Sequence, residues 1–391
     1  MIPKRAIACL GLAQMISWGT TYYLIGVFGE RIASDLSWSR ELVYSGFSVA
    51  LLVMGLFSSF SGTLVDRRGG AAAMSFGSIL NAGGCLTMAA TWHPATYLAG
   101  WCMIGLGMRL SLYDAAFAAL ARISGPRARR PMAQITLLGG LASTVFWPIG
   151  AALSNEFGWR GALCVYAGIA LVAIALYMPL PKARFTEAKP NELESAPDRS
   201  QRGGNRGTAA ALYATTVALT SFLNSGMSAH MIPILAGLGL GSAGAVNAAM
   251  FRGIGQSTAR LCDVLFGRAL HPLTLNLIST SILPIAFSMG FLAGDGWLAG
   301  TVFAFSYGAG NGLTTITRGS LPLVLFDHRD YGRVAGRLIA PSFLFAAVAP
   351  LFYAYAISSW GEDGALWLSL ALATFSVLAA IVLKVLFKRH D

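Results

Sequence analysis

Uncharged apolar runs of bilayer length recur along this chain, and that recurrence limits the possible folds more than any other feature. Residues 365–383, ALWLSLALATFSVLAAIVL, are one example. Crossing a hydrocarbon layer of roughly 30 Å takes about 20 mainly apolar residues in a helix. Runs of that kind lie near 6–30, 41–64, 71–92, 97–120, 132–155, 160–180, 209–235, 243–266, 273–293, 297–318, 335–357 and 365–386. Lipid cannot satisfy exposed backbone groups, so segments this long and this apolar read as helices. The expected fold class is therefore an all-α integral membrane protein with twelve spans. Apolar and aromatic residues make up 55% of the chain and charged residues 12%, outside the range of soluble domains. The first run follows Lys4 and Arg5, as a secretory leader would. It is too long for one and no A-x-A cleavage site follows, so it reads as the first span.

The formal charge of +11 has an uneven distribution. Short loops rich in Lys and Arg stay cytoplasmic. With the N-terminus inside, the inner side collects Arg67, Arg68, Arg122, Arg127, Arg129, Arg130, Arg268, Arg329, Arg333, Arg337, Lys384, Lys388 and six further basic residues in 182–206. The outer loops hold only Arg31, Arg40 and Arg160. Both termini are thus expected in the cytoplasm of a multi-pass protein of the bacterial inner membrane. The asymmetry accounts for the basic charge, and no nucleic-acid partner is expected. The five cysteines fall inside the spans without metal-ligand spacing, and no Walker or nucleophile-elbow pattern occurs. Neither an enzyme, nor a resident cofactor or metal, nor a self-contained ATP-driven pump is expected.

One polar segment, 181–207, carries mixed charge with Pro and Gly and reads as a cytoplasmic linker. It separates an N-terminal unit, 1–180, from a C-terminal unit, 208–391, of six spans each. Four matches link the two units in order. SWGTTYYLIGVF lies over NSGMSAHMIPIL, pairing Gly19 with Gly226 and Tyr23 with His230. Gly55 pairs with Gly253, Gly105 and Gly107 pair with Gly308 and Gly310, and Pro148 pairs with Pro350. Such a pattern indicates duplication.

A duplicated set of six spans joined by a charged linker resembles the major facilitator superfamily of secondary transporters. The stretch GTLVDRRGG, 62–70, strengthens the resemblance. That family carries G-x-x-x-D-R-x-G followed by two basic residues between its second and third helices. Gly62, Asp66, Arg67 and Gly69 match, while Gly70 and Ala71 replace the basic pair. The second-half copy is degraded, with Arg260 at the position of Gly62 and Val264 at that of Asp66. The resemblance implies two pseudo-symmetric six-helix bundles, a cavity lined by helices 1, 4, 7 and 10, and a latch at Asp66 and Arg67 that holds the outward-facing state. The plain alternative for these two residues is that they are interfacial charges.

An ionisable group at mid-bilayer costs roughly 2.5–3.5 kcal/mol on insertion scales, so each one calls for a reason. Arg109, Asp114 and Arg252 lie inside spans. Asp114 aligns within one residue of Arg318, which suggests an ion pair across the halves that closes the cytoplasmic gate. A partner within its own half is the alternative. Asp114 is also the expected proton site if transport is proton-coupled. Arg252 and Arg109 leave the cavity net positive, which favours an anionic cargo, and the planar guanidinium suits a carboxylate. The helix-8 position of Arg252 resembles that of organic-anion and monocarboxylate carriers of the superfamily. Arg260 and Asp263, three residues apart, are expected to satisfy each other.

The twin of Arg109 is Gly312, so Arg109 reads as a replacement for glycine that either binds cargo or wedges two helices. Tyr22, Tyr23, Asn224 and His230 complete the expected cargo site, with Tyr23 facing His230. His230 could instead be a packing histidine. The expected function is secondary active transport of a small solute, first an organic anion, by a rocker-switch cycle in a monomer whose other partner is membrane lipid. Drug or arsenite-type metalloid efflux is the alternative. A non-transporting membrane sensor or scramblase is a remote third.

Overall fold

The computed structural model describes residues 2–57, 64–65, 67–124, 128–181, 206–266, 270–325 and 331–388. Every regular element among them is helical. In chain order they are α1 (Lys4–Thr20), α2 (Leu24–Leu36), α3 (Arg40–Leu56), α4 (Gly70–Ala89), α5 (Pro94–Ser111), α6 (Tyr113–Ser124) and α7 (Arg129–Gly140). There follow α8 (Ala142–Tyr177), α9 (Arg206–Leu235), α10 (Gly241–Ala249), α11 (Phe251–Phe266), α12 (Pro272–Gly290), α13 (Trp297–Leu325) and α14 (Tyr331–Lys388). Gly62 and Asp66, and with them the centre of the expected latch, lie outside the described residues; Arg67 is exposed.

Local chemistry sets several helix starts. Ser39 Oγ accepts from Leu42 N at 3.2 Å, occupying an otherwise orphaned donor of α3. His93 and His271 each precede a proline and accept through Nδ1 from the amide two residues on, at 3.1 and 3.3 Å. Proline suits the first helical position because its missing N–H would have had no partner there.

Five continuous helical stretches among the described residues are long and apolar enough to cross a membrane: 94–124, 131–177, 207–265, 272–290 and 341–386. Two of them are hairpins. Tyr166 Oη donates to Phe146 O at 2.7 Å, yet twenty residues of straight helix would separate the two by about 30 Å. The chain turns at Gly158, with φ 66 and ψ 170. Tyr353 Oη likewise lies 2.5 Å from Ser369 Oγ, and the turn there is at Gly361, with φ 70 and ψ −175. Both glycines hold a conformation closed to residues with a Cβ, and they stand 203 positions apart.

The same offset recurs in the packing. A Cβ on Gly105 would lie 2.4 Å from Ala50 O, and one on Gly308 would lie 2.0 Å from Arg252 O. A Cβ on Gly107 would meet Asn81, and one on Gly310 would meet Leu283. Helix α5 therefore rests on α3 and α4 as α13 rests on α11 and α12, with backbones in contact where glycine permits it. Gly19 against Phe146 and Gly226 against Tyr353 repeat the pattern between α1 and α8 and between α9 and α14.

The start of α9 and the ends of α13 and α14 share one apolar cluster, and the starts of α1 and α4 share another with the ends of α6 and α8. We call this the terminal end and its opposite the far end. The main core, aromatic-rich, joins residues from both sides of the linker, among them Tyr44, Trp101, Trp147, Tyr307 and Tyr353. Large apolar side chains such as Phe76, Ile79, Val172, Ile285, Trp367 and Phe375 point outward, as a lipid-facing surface requires.

Candidate functional site

In two of the expected spans the backbone leaves the helical region at mid-depth. The run at 6–30 is interrupted at 21–23, where Thr21 leaves the helical region with φ −126 and ψ −78. The run at 97–120 breaks at Leu112, with ψ −170. Irregular backbone inside a membrane survives where it is buried in protein or lines a cavity. The broken stretch is repaired accordingly: Trp147 Nε1 donates to Tyr23 O at 3.1 Å, and Tyr23 N reaches Trp18 O at 3.1 Å.

Tyr22 and Tyr23 sit in the first break, both buried, and face Arg252 of α11. Arg252 has no exposed surface. Its Nη2 donates to Asn224 Oδ1 at 2.8 Å and to Ser228 Oγ at 2.9 Å, both on α9. Asn311 Nδ2 on α13 donates to the same Asn224 oxygen at 2.9 Å, and Asn224 Nδ2 donates to Tyr22 Oη at 3.2 Å. The Asn224 amide is thus fixed in orientation, with its oxygen shared by two donors. The guanidinium carbon lies 5.2, 5.4 and 5.8 Å from the ring centres of Tyr23, Tyr307 and Trp147, within cation–π range. Residues from α1, α2, α8, α9, α11 and α13 or their junctions therefore converge on one cation.

That cation is uncompensated. Arg252 Nε and Nη1 are buried with no hydrogen-bond partner. Among the described residues the buried ionisable groups include Arg252 and Arg260 and no carboxylate. Burying an unpaired charge costs several kcal/mol; the aromatic faces offset part of that, about 2 kcal/mol each when desolvated, and no carboxylate among the described buried residues neutralises the rest. The arrangement can accept an anionic group at the N–H groups of Nε and Nη1, beside an aromatic wall.

Of the residues expected from sequence, Tyr22, Tyr23, Asn224 and Arg252 are brought together. Trp147, Tyr307 and Asn311 join them without having been expected. Asn311, a lone amide between Gly310 and Gly312 in an apolar run, carried a readable signal; the two aromatics did not stand out from the other ring-bearing core residues.

His230 does not face Tyr23. It is packed between Tyr44 and Tyr353, with ring centres 3.9 and 5.9 Å away, and its Nε2 lies 2.9 Å from Pro350 O. The imidazole is a packing element between α3, α9 and α14. Arg109 is also outside the cluster: it pairs with Asp114 across the break at Leu112. Asp114 is half-exposed at the start of α6, and its partner lies in its own half rather than at Arg318. Arg318 Nη2 instead reaches Ser342 Oγ at 3.4 Å. Arg260 reaches Thr136 O on α7 at 2.6 Å rather than Asp263 along its own helix.

The two sides of the linker meet along further seams. Ser257 Oγ donates to Leu137 O at 2.9 Å and Thr144 Oγ1 to Met250 O at 2.7 Å. Toward the far end, a Cβ on Gly26 would lie 2.7 Å from Ser228 O, and Ser358 Oγ donates to Glu41 Oε1 at 3.2 Å. A separate cavity of about 370 Å³ opens there between α2, α8, α9 and α10, lined by Glu30, Arg31, Asn155 and Asn247 among others; Arg252 does not line it.

A helical membrane protein with a sealed polar centre between broken helices is built as a solute carrier. The sequence model of the Major Facilitator Superfamily matches residues 10–336, and the chain belongs to that family. It is a transporter, not an enzyme, and multi-pass. It is 27% identical over 348 residues to an MFS-type efflux pump of Mycolicibacterium smegmatis, covering 79% of this chain and 74% of that one. It is 31% identical over 205 residues to the multidrug resistance protein MdtL of Escherichia coli, a match spanning about half of each chain, 48% and 49%. Among solved structures, a mutant of the nucleoside transporter NupG aligns with TM-score 0.74 at 12% identity, covering 98% of this chain and 99% of that one. A bacterial homolog of the human lysosomal transporter Spinster, inward-facing and occupied, aligns with TM-score 0.64 at 14% identity over 98% and 96%.

Proposed function

We propose that this transporter carries a small organic anion with an aromatic or apolar body across the bacterial inner membrane by alternating access. The observation that carries the reading is Arg252: fully enclosed, held on one side by Asn224 and Ser228, and with two donors left over. A carboxylate oxygen can accept a charge-assisted hydrogen bond from either of these donors. Tyr22, Tyr23, Trp147 and Tyr307 would enclose the rest of the cargo. On this reading two six-helix halves, 1–180 and 208–391, joined by the cytoplasmic linker 181–207, rock about that centre as a monomer, giving twelve spans with both termini cytoplasmic. The matched packing of Gly105 on Ala50 and Gly308 on Arg252 supports the two-fold relation. Coupling to a proton belongs to the same reading, with Asp114 exchanging Arg109 for a proton during the cycle. Asp66, Arg67 and Arg318 keep gating roles in states other than this one.

Purified protein would be screened by thermal unfolding against benzoate, lactate and succinate, with uncharged and cationic solutes as comparison. Carboxylates are expected to raise the midpoint progressively with concentration, and Arg252→Gln to reduce that shift. Stabilisation by cations alone, or a carboxylate shift undiminished in Arg252→Gln, would overturn the assignment. Export of amphiphilic compounds is the second reading. It is favoured by the relatives named as an efflux pump and a multidrug resistance protein, and a resistance assay in a pump-deficient host would detect it.

A further inference from the structure

Arg252 is the first of three polar residues that recur every fourth position on α11. Gln256 and Arg260 follow it, so the three share one helix face. Eight residues of helix place Arg260 about 12 Å along the axis from Arg252. Because α11 runs from the far end toward the terminal end, Arg260 lies on the terminal side. It is 2% exposed. Its Nη1 donates to Thr136 O at 2.6 Å with the Tyr113 hydroxyl beside the guanidinium, while Nε and Nη2 are buried without a geometrically formed hydrogen bond, as is Gln256 Oε1.

Position 140 on α7 is glycine, and a Cβ there would come within 2.6 Å of Ser257 Oγ and 3.2 Å of Arg260 Nη1. The facing helix is cut away along the stretch of α11 that carries Ser257 and the guanidinium. A strut from α11 to α7 would need one donor, and the hydroxyl of Ser257 already makes such a tie to Leu137 O. A guanidinium brings five donors and a fixed charge. Placing it here with two nitrogens unused repeats, two turns away, the chemistry of the central site.

We propose that Arg260 is a second anion-binding station, which receives the acidic group of the cargo as it passes between Arg252 and the terminal end. Gln256 lines the step between the two. The proposal rests on the cargo being an anion.

The test uses the full chain with its five cysteines replaced and Gln256→Cys introduced, in inside-out membrane vesicles. A sulfonate-bearing methanethiosulfonate is expected to modify this position about tenfold faster than its trimethylammonium counterpart. Arg260→Gln should bring the ratio near one, while Arg260→Lys, which keeps a charge but not the fork, should retain most of it. Benzoate should slow the modification, and should still do so in Arg252→Gln but not in Arg260→Gln. Ser257→Cys provides a second reporter should Gln256→Cys not reach the membrane.

A reagent ratio indifferent to Arg260, a position unreactive to both reagents, or benzoate protection that depends on Arg252 alone would each show Arg260 to be a strut. Failure of the anion reading has a different signature. In that case no carboxylate shifts the unfolding midpoint and benzoate protects nowhere, and the reagent ratio alone then decides for or against Arg260.

Discussion

At the scale of single residues, Arg252 sets the terms. Its Nη2 serves Asn224 and Ser228, and its other two nitrogens face no acceptor. Asn224 keeps a second donor in Asn311 whether or not the arginine is present. Arg252→Met is therefore expected to leave the fold intact and to hold or raise the unfolding midpoint. Replacing a buried charge by a well-packed apolar side chain is often neutral or stabilising by about 1–4 kcal/mol. Uptake of the anionic cargo should fall at least tenfold in the same variant; parallel unfolding and uptake measurements would check both. Arg252 was legible in the sequence because a charge in an apolar run has to be explained. His230 was misassigned for the opposite reason: nothing in its own span announces Tyr44 and Tyr353, which stack on it from α3 and α14. A side chain's use depends on neighbours that are distant along the chain, and a single sequence orders those only coarsely.

At the scale of helices, glycines decide how closely rods approach and where they turn, and two substitutions separate these roles. In Gly308→Ala the new Cβ would lie 2.0 Å from Arg252 O, so α13 must move off α11. A loss of about 1–3 kcal/mol is expected from overpacking alone, together with weakened carboxylate binding, because the displaced helix carries the site. Gly158→Ala meets nothing within 4 Å. Its cost should come from backbone conformation alone, about 1–3 kcal/mol, with cargo affinity unchanged. Equal effects of the two on binding would contradict this division; thermal unfolding and equilibrium binding measure it. The glycine pairs at 105 and 308 and at 107 and 310 were readable as a repeat because close packing needs small residues at fixed offsets. The breaks at 21–23 and at Leu112 were not, since neither contains the proline or glycine that normally signals one.

For the whole molecule, the far-end ties between the sides of the linker are the Gly26 contact, the stack of Tyr44 on His230 and the bond from Ser358 to Glu41. If the far end has to open in each cycle, a short bismaleimide bridge between Glu41→Cys and Ser358→Cys, in a chain without its native cysteines, should arrest transport, whereas a monofunctional maleimide should not. Undiminished transport by the bridged protein would rule out opening at this seam. The helical membrane class and the family were legible from run lengths, the repeat and the 62–70 loop. The ion-pair partners were not, because Asp114 and Arg318 align in sequence while the chain offers Asp114 a nearer cation across a helix break.

The unneutralised guanidinium also bears on the return journey. An unloaded carrier would have to swing a bare positive charge through the sealed midpoint, whereas a loaded one moves a neutral pair. Reorientation without cargo should be the slow leg, so proteoliposomes preloaded with unlabelled solute are expected to accumulate label much faster than empty ones. On that footing the protein works as a swapper of like for like before it works as a one-way conveyor.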